Sequence, residues 1–222
     1  MIEPSELSPM IEVVSVHRGV KQNLNVGHRT VTTGIYKAKV SERVTVDLLG
    51  LEGDVVCDQR HHGGTDQAVY VYTVEDYEYW ARQYQQPFTP GTFGENLCVG
   101  GMNAAQLDIG DRLLFADLVL EVTAPRIPCS VLAAAVDVKN FAEAFKRAAR
   151  PGFYCRVITP GTIAAGDLGT LQQSLKSKTT LLEVYRANYD PGNRQVLSRL
   201  LALPIDVRTR QRFNKKLASL KR

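Results

Sequence analysis

At 222 residues, with 44% hydrophobic and 23% charged side chains, the chain has the composition of an ordinary globular protein long enough to bury a sizeable core. Its formal net charge of +4 is concentrated near the C-terminus, at Arg208, Arg210, Arg212, Lys215, Lys216, Lys221 and Arg222, so the body is nearly neutral and offers no broad basic face for a nucleic-acid polymer. No continuous apolar run approaches roughly 18 residues, the opening M-I-E-P-S-E-L-S-P-M lacks the basic and apolar segments of a secretory leader, and Cys57, Cys98, Cys129 and Cys155 are too widely spaced for a disulfide framework, so a reduced cytoplasmic protein without a membrane span is expected.

From Ile11 onward, short blocks rich in Val, Ile, Tyr and Thr predict strands over Ile11 to Val16, Thr30 to Tyr36, Arg43 to Leu48 and Gln67 to Thr73. The stripe Val74, Tyr77, Trp80, Ala81 and Tyr84 then predicts a helix, with Thr73 as N-cap, Asp76 three residues on, and an end before Pro87. Phe88 to Gly101 reads as an ordered loop carrying a short strand around Leu97. Arg112 to Phe115 and Leu118 to Thr123 suggest a hairpin turning at Ala116 and Asp117. A second helix is expected after Asp137, through Val138, Phe141, Phe145 and Ala149, and Phe153 to Thr159 and Leu168 to Gln173 complete the β material. Many short strands with few helices imply a mainly β fold, a closed β-barrel with flanking helices over residues 1–173. The apolar stripes after Ser174, broken around Pro191-Gly192 and Pro204, predict a small C-terminal three-helix domain over residues 174–222.

One segment stands out chemically. In A-P-R-I-P-C, Ala124 to Cys129, two prolines fix the backbone in a stiff extended turn at the end of a strand, so Cys129 is expected to be presented rather than packed. Arg126 nearby favours its thiolate, the form that acts as nucleophile or metal ligand. Other candidates are weaker alone. G-L-E-G-D, Gly50 to Asp54, and the His61, His62, Gly63, Gly64 run bring histidines beside glycines that allow close approach to a ligand; only one of the two adjacent histidines should face a site. A zinc site from Glu52, Asp54, His61 and His62 matches no common spacing. T-T-G-I-Y-K offers Lys37 to an anion, F-G-E-N-L sets Glu95 and Asn96 in a glycine-led loop, and P-G-F-Y-C-R-V places Arg156 on a strand. No phosphate loop, dinucleotide fingerprint or iron–sulfur cysteine run occurs, so redox chemistry requires another kind of cofactor with electrons supplied from outside.

In this order, L-G-L-E-G-D, H-G-G-T-D-Q-A-V-Y-V-Y, F-G-E-N-L, I-G-D-R-L, A-P-R-I-P-C and G-F-Y-C-R-V-I-T-P-G resemble the MOSC domain, over about Val31 to Gln173, and the tail opening L-L-E-V-Y-R-A-N-Y-D-P-G-N resembles the stand-alone YiiM-like subgroup. The resemblance implies a β-barrel that holds the molybdenum cofactor, a pyranopterin with a phosphate, with Cys129 ligating molybdenum. It places Lys37, His62, Arg126 and Arg156 around phosphate and pterin; Glu95 and Asn96, by their own residue types, are candidates to read the heterocycle or else to satisfy backbone groups of their loop. It also implies reduction of small N-hydroxylated compounds, such as hydroxylaminopurines, to amines, with electrons from a separate reductase that the basic tail helps to dock. The alternative is a carrier of sulfur or cofactor with no turnover of its own. Thr65 departs from the family's usual proline, a local turn change. No pyridoxal phosphate site is expected, since that cofactor belongs to a sulfurase domain found upstream in other members. Monomer and homodimer are both left open. Because the motifs lie upstream of Ser174, the barrel is expected to hold the cofactor without the tail.

Overall fold

The computed structural model describes residues 10–175 and 178–220. Met1 to Pro9, and with them most of the acidic opening segment, and Lys221 and Arg222 of the basic run lie outside the described residues.

The long first strand, β1 (Met10–Gly19), organises the sheet by taking three antiparallel partners along its length. A hairpin follows, β2 (Gln22–Val26) and β3 (Arg29–Thr33), then β4 (Lys37–Val40), β5 (Val44–Asp47) and β6 (Gly50–Leu51). β7 (Val69–Thr73) leads into helix α1 (Val74–Tyr84), and β8 (Leu97–Gly100), β9 (Arg112–Leu114) and β10 (Val119–Pro125) follow. Two short helices, α2 (Ser130–Val136) and α3 (Phe141–Ala148), precede β11 (Phe153–Thr159), β12 (Gly161–Ile163) and β13 (Leu168–Gln172). The chain ends in α4 (Leu181–Tyr189), α5 (Arg194–Leu201) and α6 (Val207–Ser219).

Seven strands close on themselves in the order β13, β9, β10, β11, β7, β8, β1, with β1 pairing back to β13 at Met10 to Glu12. β4 extends the other end of β1, and β12, β5 and β6 form a separate small sheet. All neighbours in the ring are antiparallel except β7 and β8, whose parallel pairing is made possible by the crossover through α1. The fold is therefore mainly β with a closed sheet and helices around it.

β7 shows how the sequence builds this. All five of its residues are buried, and they alternate: Val69 and Val71 join the aliphatic cluster that the ring strands enclose, while Tyr70 and Tyr72 join an aromatic cluster outside it. That outer cluster stacks Trp80 of α1 on Phe145 of α3 at 5.8 Å and Phe93 on Tyr77 at 4.9 Å. α1 starts as its sequence requires, with the Thr73 hydroxyl accepting from the Asp76 N–H at 3.2 Å, and it stops at Gln85, in the left-handed region, before Pro87.

Two elements differ from the sequence expectation. Ser130 to Val136 is helical, capped by Cys129, and Asp137 is its left-handed terminus (φ 53°), so the next helix begins at Phe141 rather than after Asp137. The strand expected from Thr30 is the second half of a hairpin with β2 and stops at Thr33, and Lys37 to Val40 pairs separately with β1.

Helices α4 to α6 share the ring's core. Leu181, Val184, Leu197, Leu200 and Phe213 are buried in the same aliphatic cluster as Leu113, Leu120 and Val122. Burying one such side chain contributes about 1.5–3 kcal/mol, so the contact carries a substantial part of the fold's stability. Backbone bonds stitch the junction, from Leu181 N–H to Leu107 O (2.8 Å) and from Ile109 N–H to Thr179 O (3.0 Å). The tail's cations serve it internally: Arg210 donates to Leu201 O and Leu203 O, Arg212 to Asn188 Oδ1, and Lys216 to the carbonyls of Ala187, Asn188 and Asp190 that end α4.

Candidate functional site

Because the inside of the ring is filled with aliphatic side chains, the main cavity lies on its outer face, where β7 and β11 meet the hairpin β2–β3 and the loop from Asp54 to Gly63. Its volume is about 500 Å³, the size of a small-molecule or cofactor site. Thr32 to Ile35 form one wall, His61, His62 and Gly63 another, and Tyr70, Tyr154, Arg126 and Cys129 close the third. Gly34 is required there, since a Cβ would stand 1.9 Å from Val55 O.

The A-P-R-I-P-C segment delivers two groups to this space. β10 ends at Pro125, and Arg126 then turns inward and is buried, its guanidinium 4.7 Å from the centroid of the Tyr70 ring and Nη1 donating to Phe93 O at 2.7 Å. Its Nε is buried with no partner. Cys129, half-buried, is the N-cap of α2: its Sγ accepts from the Leu132 N–H at 3.4 Å, and Arg126 is close enough to share its field. A sulfur at a cavity wall is thus flanked by a helix start and a buried cation.

His62 also faces the cavity, with Nδ1 3.1 Å from the Tyr154 hydroxyl. Burial, reinforced by Arg126, lowers its pKa to about 4, so it is neutral at pH 7. His61, expected to point away, lines the mouth of the same cavity, exposed and held by Asp58 at 2.8 Å. Lys37 lines the floor, buried, with Nζ 2.6 Å from both oxygens of Asp54. Asp54 also accepts from Gly19 N–H and from Asn96 Nδ2 at 2.9 Å. Burial works against its charge, but Lys37 and these donors hold the carboxyl below its usual range. Burial, reinforced by the Arg126 charge, lowers the pKa of the Lys37 ammonium, and Asp54 opposes that shift. With every donor converging on the carboxylate, the pair is charged.

Asn96 lines the cavity, but its amide is engaged, accepting from Tyr70 N–H at 3.1 Å and donating to Asp54. Glu95 and Arg156 require correction. Glu95 lies behind the wall, fully buried, with Oε1 accepting from the Tyr77 hydroxyl (2.6 Å) and Gly91 N–H (2.5 Å), and burial raises its pKa. It fastens the loop and does not face the cavity. Arg156 sits two residues beyond Tyr154 on the same face of β11, which carries it past the cavity to Asp66 (3.1 Å), Glu121 (3.4 Å) and Pro204 O (3.0 Å).

Sequence reasoning missed Tyr70, Tyr154, Gln67 and Cys57 as lining residues. Both tyrosines stand inside the quoted motifs, at the outward positions of strands whose neighbours are core valines and cysteine, and that alternation was the available signal. Among the described residues no group of three or more His, Cys, Asp and Glu is arranged to hold a metal ion, and the zinc quartet is not assembled.

The donor set fits a group that is both anionic and soft-metal-bearing. Cys129 supplies one thiol sulfur, Arg126 a buried cation with an orphaned Nε, and His62 a neutral imidazole. Among the described residues no helix is long and apolar enough to cross a membrane.

Residues 58–168 match the family model of the MOSC domain. The chain is 32% identical over 191 residues to the uncharacterized protein YflK of Bacillus subtilis, covering 86% of each. It is also 32% identical over 160 residues to a protein named reductase from Gibberella moniliformis, covering 70% of this chain but 28% of that larger protein. The crystal structure of YiiM from Geobacillus stearothermophilus superposes with a TM-score of 0.78 at 27% identity, over 93% of this chain and 99% of that one.

Proposed function

Because the chain belongs to the MOSC domain family, we propose that its outer cavity binds the molybdenum cofactor, with the Cys129 sulfur on molybdenum, and that the protein reduces small N-hydroxylated compounds, hydroxylated purine bases among them, to amines. The observation that carries this reading is the half-buried Cys129 sulfur beside the buried, partly unsatisfied Arg126 in a cavity of cofactor size. The similarity to a protein named reductase supports the redox class.

The reaction takes R–NHOH, two electrons and two protons to R–NH2 and water. The cofactor, when bound, supplies an oxygen-accepting, two-electron metal centre. This chain's residues do the rest. Cys129 provides the soft ligand, and Arg126 offsets negative charge of the pyranopterin phosphate or the metal centre in a setting where water is scarce. The Tyr70 and Tyr154 rings, 5.0 Å apart and tilted 37° to one another, give an aromatic wall against which a heterocycle can pack. His62 and Tyr154 hold a proton between them at the cavity surface, and the other imidazole nitrogen has no hydrogen-bond partner among the described residues. Lys37, tied to Asp54, shapes the floor electrostatically rather than reaching out as a free cation. Since no flavin or iron–sulfur motif is present in the sequence, a separate reductase supplies the electrons.

The test is metal analysis of protein made in a molybdenum-replete host, followed by an assay with reduced viologen and an N-hydroxylated purine. Bound molybdenum with turnover supports the proposal; bound molybdenum without turnover on any N-hydroxylated compound favours the cofactor carrier; absence of molybdenum refutes both the reductase and the cofactor carrier and leaves the sulfur carrier.

A further inference from the structure

All five N–H donors of the Arg208 guanidinium, near the start of α6, are spent on one stretch of the cavity wall, residues 59–67. Nη2 donates to Gln59 O at 2.7 Å and His62 O at 3.0 Å, Nε to Arg60 O at 2.9 Å, and Nη1 to Gly63 O at 2.7 Å and to Gln67 Oε1 at 3.2 Å. Four backbone carbonyls of residues 59–63 therefore converge on a single cation contributed from 145 or more residues away. Carbonyl dipoles aimed at one point repel one another, and this loop has little to oppose that: its own backbone bonds are His61 and His62 N–H to Asp58 O, at 3.3 and 3.0 Å. Two glycines in the left-handed region, Gly63 and Gly64, follow at once. The neighbouring contacts make the clamp rigid. Asp206 caps α6 and accepts from Gln67 Nε2 at 2.9 Å, and Asp66 accepts from Val207 N–H at 2.9 Å.

We infer that Arg208 is a positioning residue of the cavity: by gathering the carbonyls of residues 59–63, it sets the loop that presents His62, so the C-terminal helices belong to the binding site and are not an appendage beside it. A lysine cannot substitute. Its ammonium has three donors on a flexible stem and no planar fork to span four carbonyls.

The experiment uses the full chain and compares Arg208→Ala, Arg208→Gln and Arg208→Lys with Arg212→Ala, which removes a tail cation bonded to Asn188, away from the cavity. Amide hydrogen exchange is followed on metal-free protein, and molybdenum content is measured on protein from a replete host. Charge-assisted hydrogen bonds contribute enough that exchange at His61 and His62, whose N–H groups bond Asp58 O, is expected to quicken about tenfold or more in the Arg208 variants, while the core of β7 keeps its protection. Molybdenum content is expected to fall in the same variants and to hold in Arg212→Ala. The glutamine variant keeps the test open if alanine does not fold. Unchanged exchange in Arg208→Ala overturns the inference, as does full restoration by lysine, or faster exchange with unchanged molybdenum. The molybdenum arm rests on the function proposed above. If wild-type protein holds none, that function falls, and exchange alone decides the role of Arg208.

Discussion

Lys37 and Asp54 form the ion pair most deeply buried at the site, with side chains 6% and 7% exposed, and breaking it separates a structural role from a ligand-binding one. Removing one partner of a buried pair costs about 3–5 kcal/mol, because the other charge is left without compensation. Lys37→Met should lie near the lower figure, since Asp54 keeps Gly19 N–H and Asn96 Nδ2. Asp54→Asn should lie near the upper, since it strands an ammonium with no carboxylate. For a chain of this size each kcal/mol lowers the melting temperature by about 2–4 °C, so drops of roughly 6–20 °C are expected by circular dichroism at pH 7. The double variant, which strands no charge, should melt above Asp54→Asn alone. The sign of the pH dependence follows from the carboxyl, whose folded pKa is depressed. Its stabilisation is present above the ordinary carboxylate pKa and is lost as pH falls through the folded value, so the gap between wild type and Asp54→Asn should persist from pH 7 to 5 and close in stronger acid. Single variants within about 0.5 kcal/mol of wild type would refute the pairing as a stabilising element.

Cys129→Ser keeps an N-cap acceptor and should fold as wild type, whereas Cys129→Ala should lose about 0.5–1 kcal/mol with the cap; urea titration distinguishes them, and both should lack molybdenum. Cys57→Ala should retain molybdenum although Cys57 lines the cavity, since its sulfur caps no helix and makes no hydrogen bond among the described residues; metal analysis checks this. His17 and His62 are each pushed to about 4, chiefly by burial, so stability is full above the ordinary histidine pKa and falls as pH drops from about 6.5 to 4, by on the order of 3 kcal/mol per histidine; His62→Gln should flatten that slope in pH-dependent urea melts. Deleting Ser174 to Arg222 should expose the aliphatic cluster and release the 59–63 loop, giving aggregated or cofactor-free protein by gel filtration and metal analysis; a soluble, molybdenum-loaded fragment would show the ring to be self-sufficient.

Much of this architecture was legible because local chemistry and tertiary context agreed. Thr73 and Asp76 announced α1, and the Val- and Tyr-rich run just before them marked β7 as a strand. The hairpin β2–β3 was half hidden because Q-N-L-N-V is polar and its turn at Gly27 and His28 is not one of the strong hairpin dipeptides. α2 escaped because it is short and is capped by a cysteine, a residue seldom read as a helix start. At the site, Arg126 and Arg156 looked equivalent in sequence. Register separates them: Glu121 stands directly opposite Arg156 on the paired strand and claims it, whereas Arg126 follows the last paired residue of β10 and is free to turn inward. The pairing of Lys37 with Asp54, 17 positions away, and the reach of Arg208 to the 59–63 loop gave no sequence signal because they depend on which loops the closed sheet brings together.

X-ray absorption at the molybdenum edge, on wild-type protein and Cys129→Ser prepared side by side in a molybdenum-replete host, tests the central claim most directly. Stoichiometric molybdenum in wild type, with a protein thiolate in its coordination shell that disappears together with bound metal or with turnover in the serine variant, is the result expected. Unaltered sulfur coordination and undiminished molybdenum in a folded Cys129→Ser protein would contradict it.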